Sequence, residues 1–541
     1  MKFPQEIFDL IFRSLSRHDL WALSLVSRQF NEVVSPTLYR TIIIGLWCGV
    51  TLPPKFIRSF VVGNPNHLKI KLVKNVVLLA HVESPDPSDR RVWEDGASKM
   101  VNELIYTFLL KLRDKQLRKF IWRSSLNPEG RILVHLANHH GSSLECLYFD
   151  KLTGLRDPDL PEFSKFTSLS TLRWGNVETV KDMPALLEML EASADSLRSL
   201  SVNYTFNDGL IDDSKQYNIK ISNLTEYQTP IHGYGRRILK KMVPIAQINR
   251  FRLTNRQQGT HAYTILPKLH KPVELVFNCA INGPKDLDHI ISKHAGNTLK
   301  ILSICTAPTS SFGSSQLFQN CLSTHSLVNL GRGCPNLVEL AVPHNVEFSL
   351  AEVRNEDYSR STTPLRYLPG FPLHAFRNLK LLFLEIPPNS DHREILEDEV
   401  FRDSIIGESS FVQTAFEAML NEREKLQQEY RSEENGKASL LKPSRELEVV
   451  AIGLATPEFF VFRNIARTPR LWKVIHPEND NEAIELEVAN IDDVMDRDPE
   501  WKLLRRYPLL IPNEGLRNIF RRPHLPPSSE LLPVRDHRTI P

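Results

Sequence analysis

Residues 169–174 read LSTLRW, an apolar-x-x-apolar-x-apolar phrase that recurs along the chain. It stands 25 residues earlier as LECLYF (144–149) and 28 residues later as LRSLSV (197–202). Further out it returns as LRKFIW (117–122), INRFRL (248–253), LKILSI (299–304), LVELAV (337–342) and LKLLFL (379–384), with weaker copies at 73–78, 275–277 and 447–452. Alternation at the end of each phrase reads as a short strand with one buried face. The first spacings are 27, 25 and 28 residues, and the next two are 51 each, about two units. A recurring period of this size is the signature of a repeat array.

Helical patterns fall between the phrases. Val101, Leu104, Ile105, Phe108 and Leu112 hold one face through 98–114, and residues 132–138, 183–190 and 287–294 repeat the pattern. Gly141 is placed to end the second of these. Each unit is a helix, a turn and a strand, and neither element can bury its apolar side alone. Stacking neighbours closes one core for all of them.

This organisation resembles the leucine-rich repeat, and Cys334-Pro335-Asn336-Leu337 is close to the cysteine-containing subtype. The family's Asn or Cys ladder, eight residues after the first Leu, stands clearly only at Asn345, and later spacings stretch to 38, 42 and 68 residues. The expectation is an α/β fold in which an irregular leucine-rich-repeat-like solenoid spans 46–480, with insertions at about 204–236, 347–372 and 386–443. The alternative is a generic α/β domain in which the phrase recurs by chance. Eight of the 44 residues from Asp498 onward are Pro, so 481–541 reads as a Pro-rich, partly disordered tail.

A different unit precedes the array. Residues 3–40 read FPQEIFDLIFRSLSRHDLWALSLVSRQFNEVVSPTLYR, and 18 of the 37 positions from Phe3 to Tyr39 are apolar. On a helical wheel, Ile7, Phe8, Leu10, Ile11, Phe12 and Leu15 cover an arc of roughly 200°, twice what a one-sided helix needs. Leu20, Trp21, Ala22, Leu23, Leu25 and Val26 surround a second helix, His18 to Val26. A third, from Ser27, carries only the stripe Phe30, Val33, Val34 before Pro36 ends or kinks it. A three-helix unit this small cannot bury all of these side chains itself. They dock on a partner or on the rest of the chain.

This stretch resembles an F-box. The marks are Phe3-Pro4, Glu6-Ile7, Ile11, Leu15-Ser16, Asp19-Leu20, Leu23, Val26-Ser27-Arg28, Phe30-Asn31 and Pro36-x-Leu38-Tyr39, with Phe3 replacing the usual Leu. The resemblance implies an F-box at 1–45 that grips the Skp-type adaptor of a cullin–RING ubiquitin ligase. The residues implicated are Phe3, Pro4, Ile7, Ile11, Leu15, Leu20, Leu23, Val26 and Phe30. It further implies a non-catalytic substrate receptor, reaching the cullin and the RING protein through the adaptor and holding an unknown protein substrate on its repeats. Arg118, Tyr148, Arg173, Arg198, Lys300, Glu339 and Phe383 occupy outward positions where substrate contacts are expected. An F-box scaffold acting outside the ligase, or an unrecognised enzyme on an α/β scaffold, are the alternatives.

Charge is nearly balanced, with 67 basic and 64 acidic residues, which argues against a dedicated nucleic-acid binder. The six cysteines include no CxxC pair, so reduced thiols and a cytoplasmic or nuclear setting are expected. No signal-peptide pattern opens the sequence, and the longest apolar run, residues 41–52, is short of the ~20 residues that span a bilayer. No HExxH, GxSxG or P-loop occurs, and no cofactor is expected. His139-His140 lies at a helix end, where a cation is favourable; zinc ligation would need partners at a spacing that is not visible. Asp391, His392 and Glu394 read as solvated charge, and Arg236, Arg237, Lys240 and Lys241 as a solvated helix face.

Overall fold

The computed structural model describes residues 17–46, 68–80, 90–124, 126–150, 152, 162–177, 183–204, 219–229, 243–254, 265–278, 287–305, 322, 324–343, 373–385, 447–453, 470–475 and 485–489. It begins with two helices, α1 (Arg17–Val26) and α2 (Arg28–Leu38). The first helix expected from sequence lies outside the described residues. Ser27 separates α1 from α2 because its hydroxyl accepts the Phe30 N–H at 3.1 Å, capping the second helix. That helix runs two residues past Pro36 rather than stopping there. Proline in a last turn forfeits one backbone bond, and the Tyr39 N–H closes the end on Ser35 O at 2.9 Å.

Only Tyr39 and Arg40 separate α2 from β1 (Thr41–Leu46). Among the described residues, that strand opens a 15-stranded sheet whose neighbours follow chain order. The others are β2 (Asn75–Ala80), β3 (Lys119–Ser124), β4 (Cys146–Phe149), β5 (Thr171–Val177), β6 (Ser199–Tyr204), β7 (Glu226–Thr229), β8 (Arg250–Thr254), β9 (Glu274–Asn278), β10 (Ile301–Cys305), β11 (Glu339–Pro343), β12 (Leu381–Glu385), β13 (Val449–Gly453), β14 (Arg470–Ile475) and β15 (Glu485–Ala489). The pairs from β1 to β13 are parallel, whereas β13–β14 and β14–β15 are antiparallel. Parallel neighbours need crossovers. Helices in these connections are α3 (Arg90–Leu109), α4 (Gly130–His135), α5 (Met183–Ala192), α6 (Leu287–Ala295) and α7 (Thr324–Gly333).

The phrase supplies both strand and core. Its last two apolar residues point inward and are buried in every clear copy up to β11: Phe120 and Trp122, Leu147 and Phe149, Leu172 and Trp174, Leu200 and Val202. The same holds for Phe251 and Leu253, Leu302 and Ile304, and Leu340 and Val342. One apolar core runs from Ile42 to Val450. The two core tryptophans also satisfy their indole N–H groups, Trp122 on Leu126 O at 2.7 Å and Trp174 on Leu152 O at 3.0 Å.

Ile42 and Ile44 of β1 belong to the sheet's core, so the N-terminal unit runs directly into the sheet. Two boundaries differ from the expectation. The strand β7 stands inside the stretch read as a 204–236 insertion, and it splits the 51-residue gap into two units. At the other end, β15 lies within the stretch read as tail from 481. The insertions expected at 347–372 and 386–443 fall outside the described residues.

The polar ladder is not where the repeat pattern expected it. It sits one residue before the first apolar position in eight units, and each of these side chains donates to a backbone carbonyl of the unit before. Gln116 donates to Ile70 O at 2.7 Å, Ser143 to Leu117 O at 2.8 Å and Ser168 to Ser142 O at 2.8 Å. Ser196 donates to Leu169 O at 2.8 Å, Asn223 to Asp195 O at 2.7 Å and Thr298 to Pro272 O at 2.8 Å. Asn336 and Asn378 continue it on Asn297 O (2.9 Å) and Pro335 O (2.8 Å). Carbonyls at the turn would otherwise lack a strand partner, and any short donor fills the position.

Gly141 follows α4 and a wide turn over Leu136–His140, but its backbone is right-handed (φ −49°). Glycine is required there for closeness: a Cβ would lie 2.6 Å from Ala137 O and 2.7 Å from Lys165 O of the next unit.

Candidate functional site

The first candidate surface is α1. Leu20 packs with Val34 and Leu38 in a small core between α1 and α2, with Leu23 and Val33 at its edge. This uses one face of α1. The rest of the helix presents Trp21, Leu25 and Val26 to solvent at 52%, 63% and 67% exposure. The all-round apolar pattern expected from sequence is therefore real, and the described residues leave half of it uncovered. The α2 end is fixed: Lys69 Nζ donates to Tyr39 Oη at 3.0 Å and stands 4.4 Å from the ring centroid.

Residues 2–44 match the F-box-like family.

No curated protein matches the chain. Among the residues singled out from sequence for adaptor contact, Leu20 of the F-box-like domain is interior, Leu23 and Phe30 are half-buried and Val26 is exposed. Phe3, Pro4, Ile7, Ile11 and Leu15 lie outside the described residues. The sequence reading did not single out Trp21 and Leu25, although both were in its all-round helix.

The second surface is the outward face of the sheet. Strand register lines up Ile121, Tyr148, Arg173, Ser201, Gln228 and Arg252 in one row. Cys146, Thr171, Ser199, Glu226, Arg250 and Glu274 form the next. All of these but Glu274 line a groove over β3–β8. Toward the far end the outward residues Val276, Ala341, Leu381, Phe383 and Val449 are buried, as are Val77 and Ile121 at the near end. The middle, around β5–β8, is the part that stays open.

Charge in that middle is locked across strands. Arg250 pairs with Glu226, and its Nε lies 3.8 Å from Glu274 Oε2. Arg252 Nε donates to Glu274 Oε1 at 2.8 Å. Burial alone would raise the Glu226 carboxyl, but Arg250, Arg252 and the Ser199 hydroxyl outweigh it and hold Glu226 below its usual range. On β4, Tyr148 donates to Asp150 Oδ1 at 2.5 Å and carries the Arg173 guanidinium 4.7 Å from its ring. Burial pushes the Tyr148 phenol up to about 12.

The seven residues read as substrate contacts divide three ways. Tyr148 and Arg173 line the groove, Arg173 half-buried but Tyr148 only 3% exposed, which corrects its reading as a surface position too. Arg118, Arg198 and Lys300 are exposed just before their strands, Arg118 facing Glu145 at 3.3 Å. Glu339 and Phe383 are each 3% exposed, which corrects their reading as surface positions. Both point outward along their strands, but that part of the face is covered. Sequence reasoning missed Glu226, Arg250, Arg252, Ser199 and Gln228, since polar residues between apolar ones give no signal of their own.

His140 also needs correction. It is fully buried, and burial together with its neighbours His135 and His139 pushes it down to about 4, so it is no helix-end cation. Among the described residues no helix is long and apolar enough to cross a membrane, and no group of three or more His, Cys, Asp or Glu side chains is placed to hold a metal ion.

Proposed function

We propose that this chain is the substrate-recognition subunit of an SCF-type cullin–RING ubiquitin ligase. The observation that carries the reading is the apolar face of α1 on which Leu25 and Val26 stand 63% and 67% exposed, within an F-box-like domain. Such domains bind Skp-type adaptors. Burying the exposed parts of Trp21, Leu25 and Val26 is worth about 3–5 kcal/mol gross, enough to anchor an interface that Leu23, Phe30 and the preceding Phe3, Pro4, Ile7, Ile11 and Leu15 extend. Leu20 acts from beneath, fixing α1 on α2.

The adaptor brings the cullin and the RING protein. The groove over β5–β8, with Tyr148, Arg173 and the Arg250–Glu226–Arg252–Glu274 lattice, receives a protein substrate, and Arg118, Arg198 and Lys300 stand at its rim. The chain's contribution to catalysis is proximity, and none of its own residues touches the ubiquitin thioester. Its setting is the cytoplasm or the nucleus.

The test is co-purification of the full-length chain with a Skp-type adaptor and a cullin. The expected result is a ternary complex that Trp21→Asp with Leu25→Asp releases while the chain stays folded. A folded wild-type chain that leaves adaptor and cullin behind, beside a control F-box protein that retains them, sinks the reading.

A further inference from the structure

Positive charge gathers beside the F-box-like domain, where β1, β2 and β3 begin. Arg40, Lys74 and Arg118 each stand one residue before a strand. Backbone bonds stack them: the Lys74 N–H donates to Arg40 O at 2.8 Å and the Arg118 N–H to Lys74 O at 2.7 Å. Lys119 follows as the first residue of β3. Neighbouring strands lie about 4.8 Å apart, so the three strand starts fall within roughly 10 Å. Two turns add to the row. Lys71 lies in the short turn Leu68–Leu72, and Arg113 and Lys115 lie in the turn after α3. Gln116 ties these turns together. It donates to Ile70 O at 2.7 Å and Val73 O at 2.8 Å, and it accepts the Arg113 N–H at 3.0 Å.

The carboxylates nearby are already engaged. Asp114 meets His139 at 2.7 Å, and Glu145 meets Arg118 at 3.3 Å. Among the described residues, the side chains of Arg40, Lys71, Lys74, Arg113, Lys115 and Lys119 make no ion pair and no hydrogen bond. Arg40, Lys71, Arg113 and Lys115 are exposed, and Lys74 and Lys119 are half-buried. Like charges crowded in this way repel one another until an anion settles among them. Lys115 also has a left-handed backbone (φ 57°), alone among the described residues other than glycine. Glycine or asparagine adopts that conformation more readily, so a lysine there supplies charge against a backbone cost.

This patch adjoins α1. Leu20 packs on Leu38 at the end of α2, and Arg40 follows two residues later. Lys69 fastens the turn bearing Lys71 to the same place through its 3.0 Å bond to Tyr39 Oη. We propose that the Skp-type adaptor lays an acidic segment, rich in Asp and Glu, across this patch while its apolar surface covers α1. The inference rests on the ligase reading above. Salt screens exposed charges beyond about 8 Å at physiological ionic strength, so the patch acts on a partner already held beside it. The chain as a whole is nearly neutral, with 67 basic and 64 acidic residues, which disfavours nucleic acid as the occupant. Charges at the rim of an interface chiefly speed association and fix orientation.

The experiment measures binding kinetics of a Skp-type adaptor on the full-length chain at about 50 mM and about 500 mM salt. Wild-type affinity is expected to fall as salt rises. Arg40→Glu, Lys71→Glu and Arg113→Glu, all at exposed positions, are combined in one variant. It should melt as wild type does, bind about tenfold more weakly at low salt through slower association, and lose most of the salt dependence. Lys268→Glu, Lys271→Glu and Lys293→Glu make the same charge reversal at exposed positions further along the chain and leave binding unchanged. Wild-type affinity that is equal at both salt concentrations overturns the proposal, as does an equal loss in the two triple variants. Either result leaves adaptor binding, and so the ligase reading, in place; a chain that leaves the adaptor behind sinks both. A DNA duplex that binds wild type but not the patch variant, with adaptor affinity unmoved, assigns the patch to nucleic acid instead.

Discussion

Asn75 donates its side-chain amide to the Thr41 hydroxyl at 2.7 Å, and the two residues are also register partners of β1 and β2. Both are buried. This bond lies where the F-box-like domain becomes the first strand of the sheet. Asn75→Ala removes this bond and is expected to cost about 0.5–1.5 kcal/mol. Hydrogen exchange at β1 and α2 should accelerate before exchange at β4–β6 does. Uniform acceleration across the sheet, or none, would contradict the joint described.

Position on α1 separates binding from folding. Trp21→Asp and Leu25→Asp, alone or together, should weaken adaptor binding by tenfold or more while moving the melting temperature little. Leu20→Ala should do the reverse in the first instance, costing about 2–4 kcal/mol of local stability through the lost packing on Val34 and Leu38. Binding assays paired with thermal melts distinguish the two classes.

The ladder is testable one rung at a time. Asn336→Ala and Asn378→Ala each remove a bond to the preceding unit, and each should cost about 1 kcal/mol. The double variant should cost about the sum, since the rungs serve different turns. Serine at either position should recover part of the loss, as it serves at 143, 168 and 196.

Glu226 predicts an acid limb in stability. Its folded carboxyl is held below the ordinary value of 4.5, so it stabilises the fold above that pH and loses the contribution as pH falls through the folded value. Glu226→Gln should therefore melt lower than wild type near neutrality, and the two should converge as pH falls through the folded carboxyl's value. A constant gap across that range would assign the effect to packing instead.

Cys334 is buried, and burial pushes its thiol up to about 12. Thiolate is the reactive form, so native alkylation at about pH 8 should spare Cys334 and label it only after unfolding. Mass spectrometry of the peptide containing Cys334 reads this directly.

The strands were legible because each carries its core contribution in its own sequence. LSTLRW needs no distant information to put Leu172 and Trp174 on one face. The strand at Glu226–Thr229 escaped because Tyr227 stands alone among Glu226, Gln228 and Thr229, and its placement comes from pairing with β6 and β8. The ladder escaped because Gln, Ser, Asn and Thr serve interchangeably, so no single letter repeats. The closing antiparallel strands escaped because they follow no repeat at all. In the candidate sites, Val26 could be read from the helix wheel, but Trp21 and Leu25 needed the structure to show which arc α2 covers. His140 was misplaced because an α-helical reading points a residue five positions after His135 away from it, whereas the wide turn brings His140 beside His135.

Two residues, Tyr39 and Arg40, are all that lies between α2 and β1, and strand order then counts outward without a break. Neighbouring strands are about 4.8 Å apart, so β7, in the middle of the open groove, stands roughly 30 Å along the sheet from β1. The sheet is thus a ruler with its zero mark welded to the F-box-like domain. Whatever rests in the groove is presented at one distance and in one orientation, and reach is set by counting strands instead of by the slack of a tether.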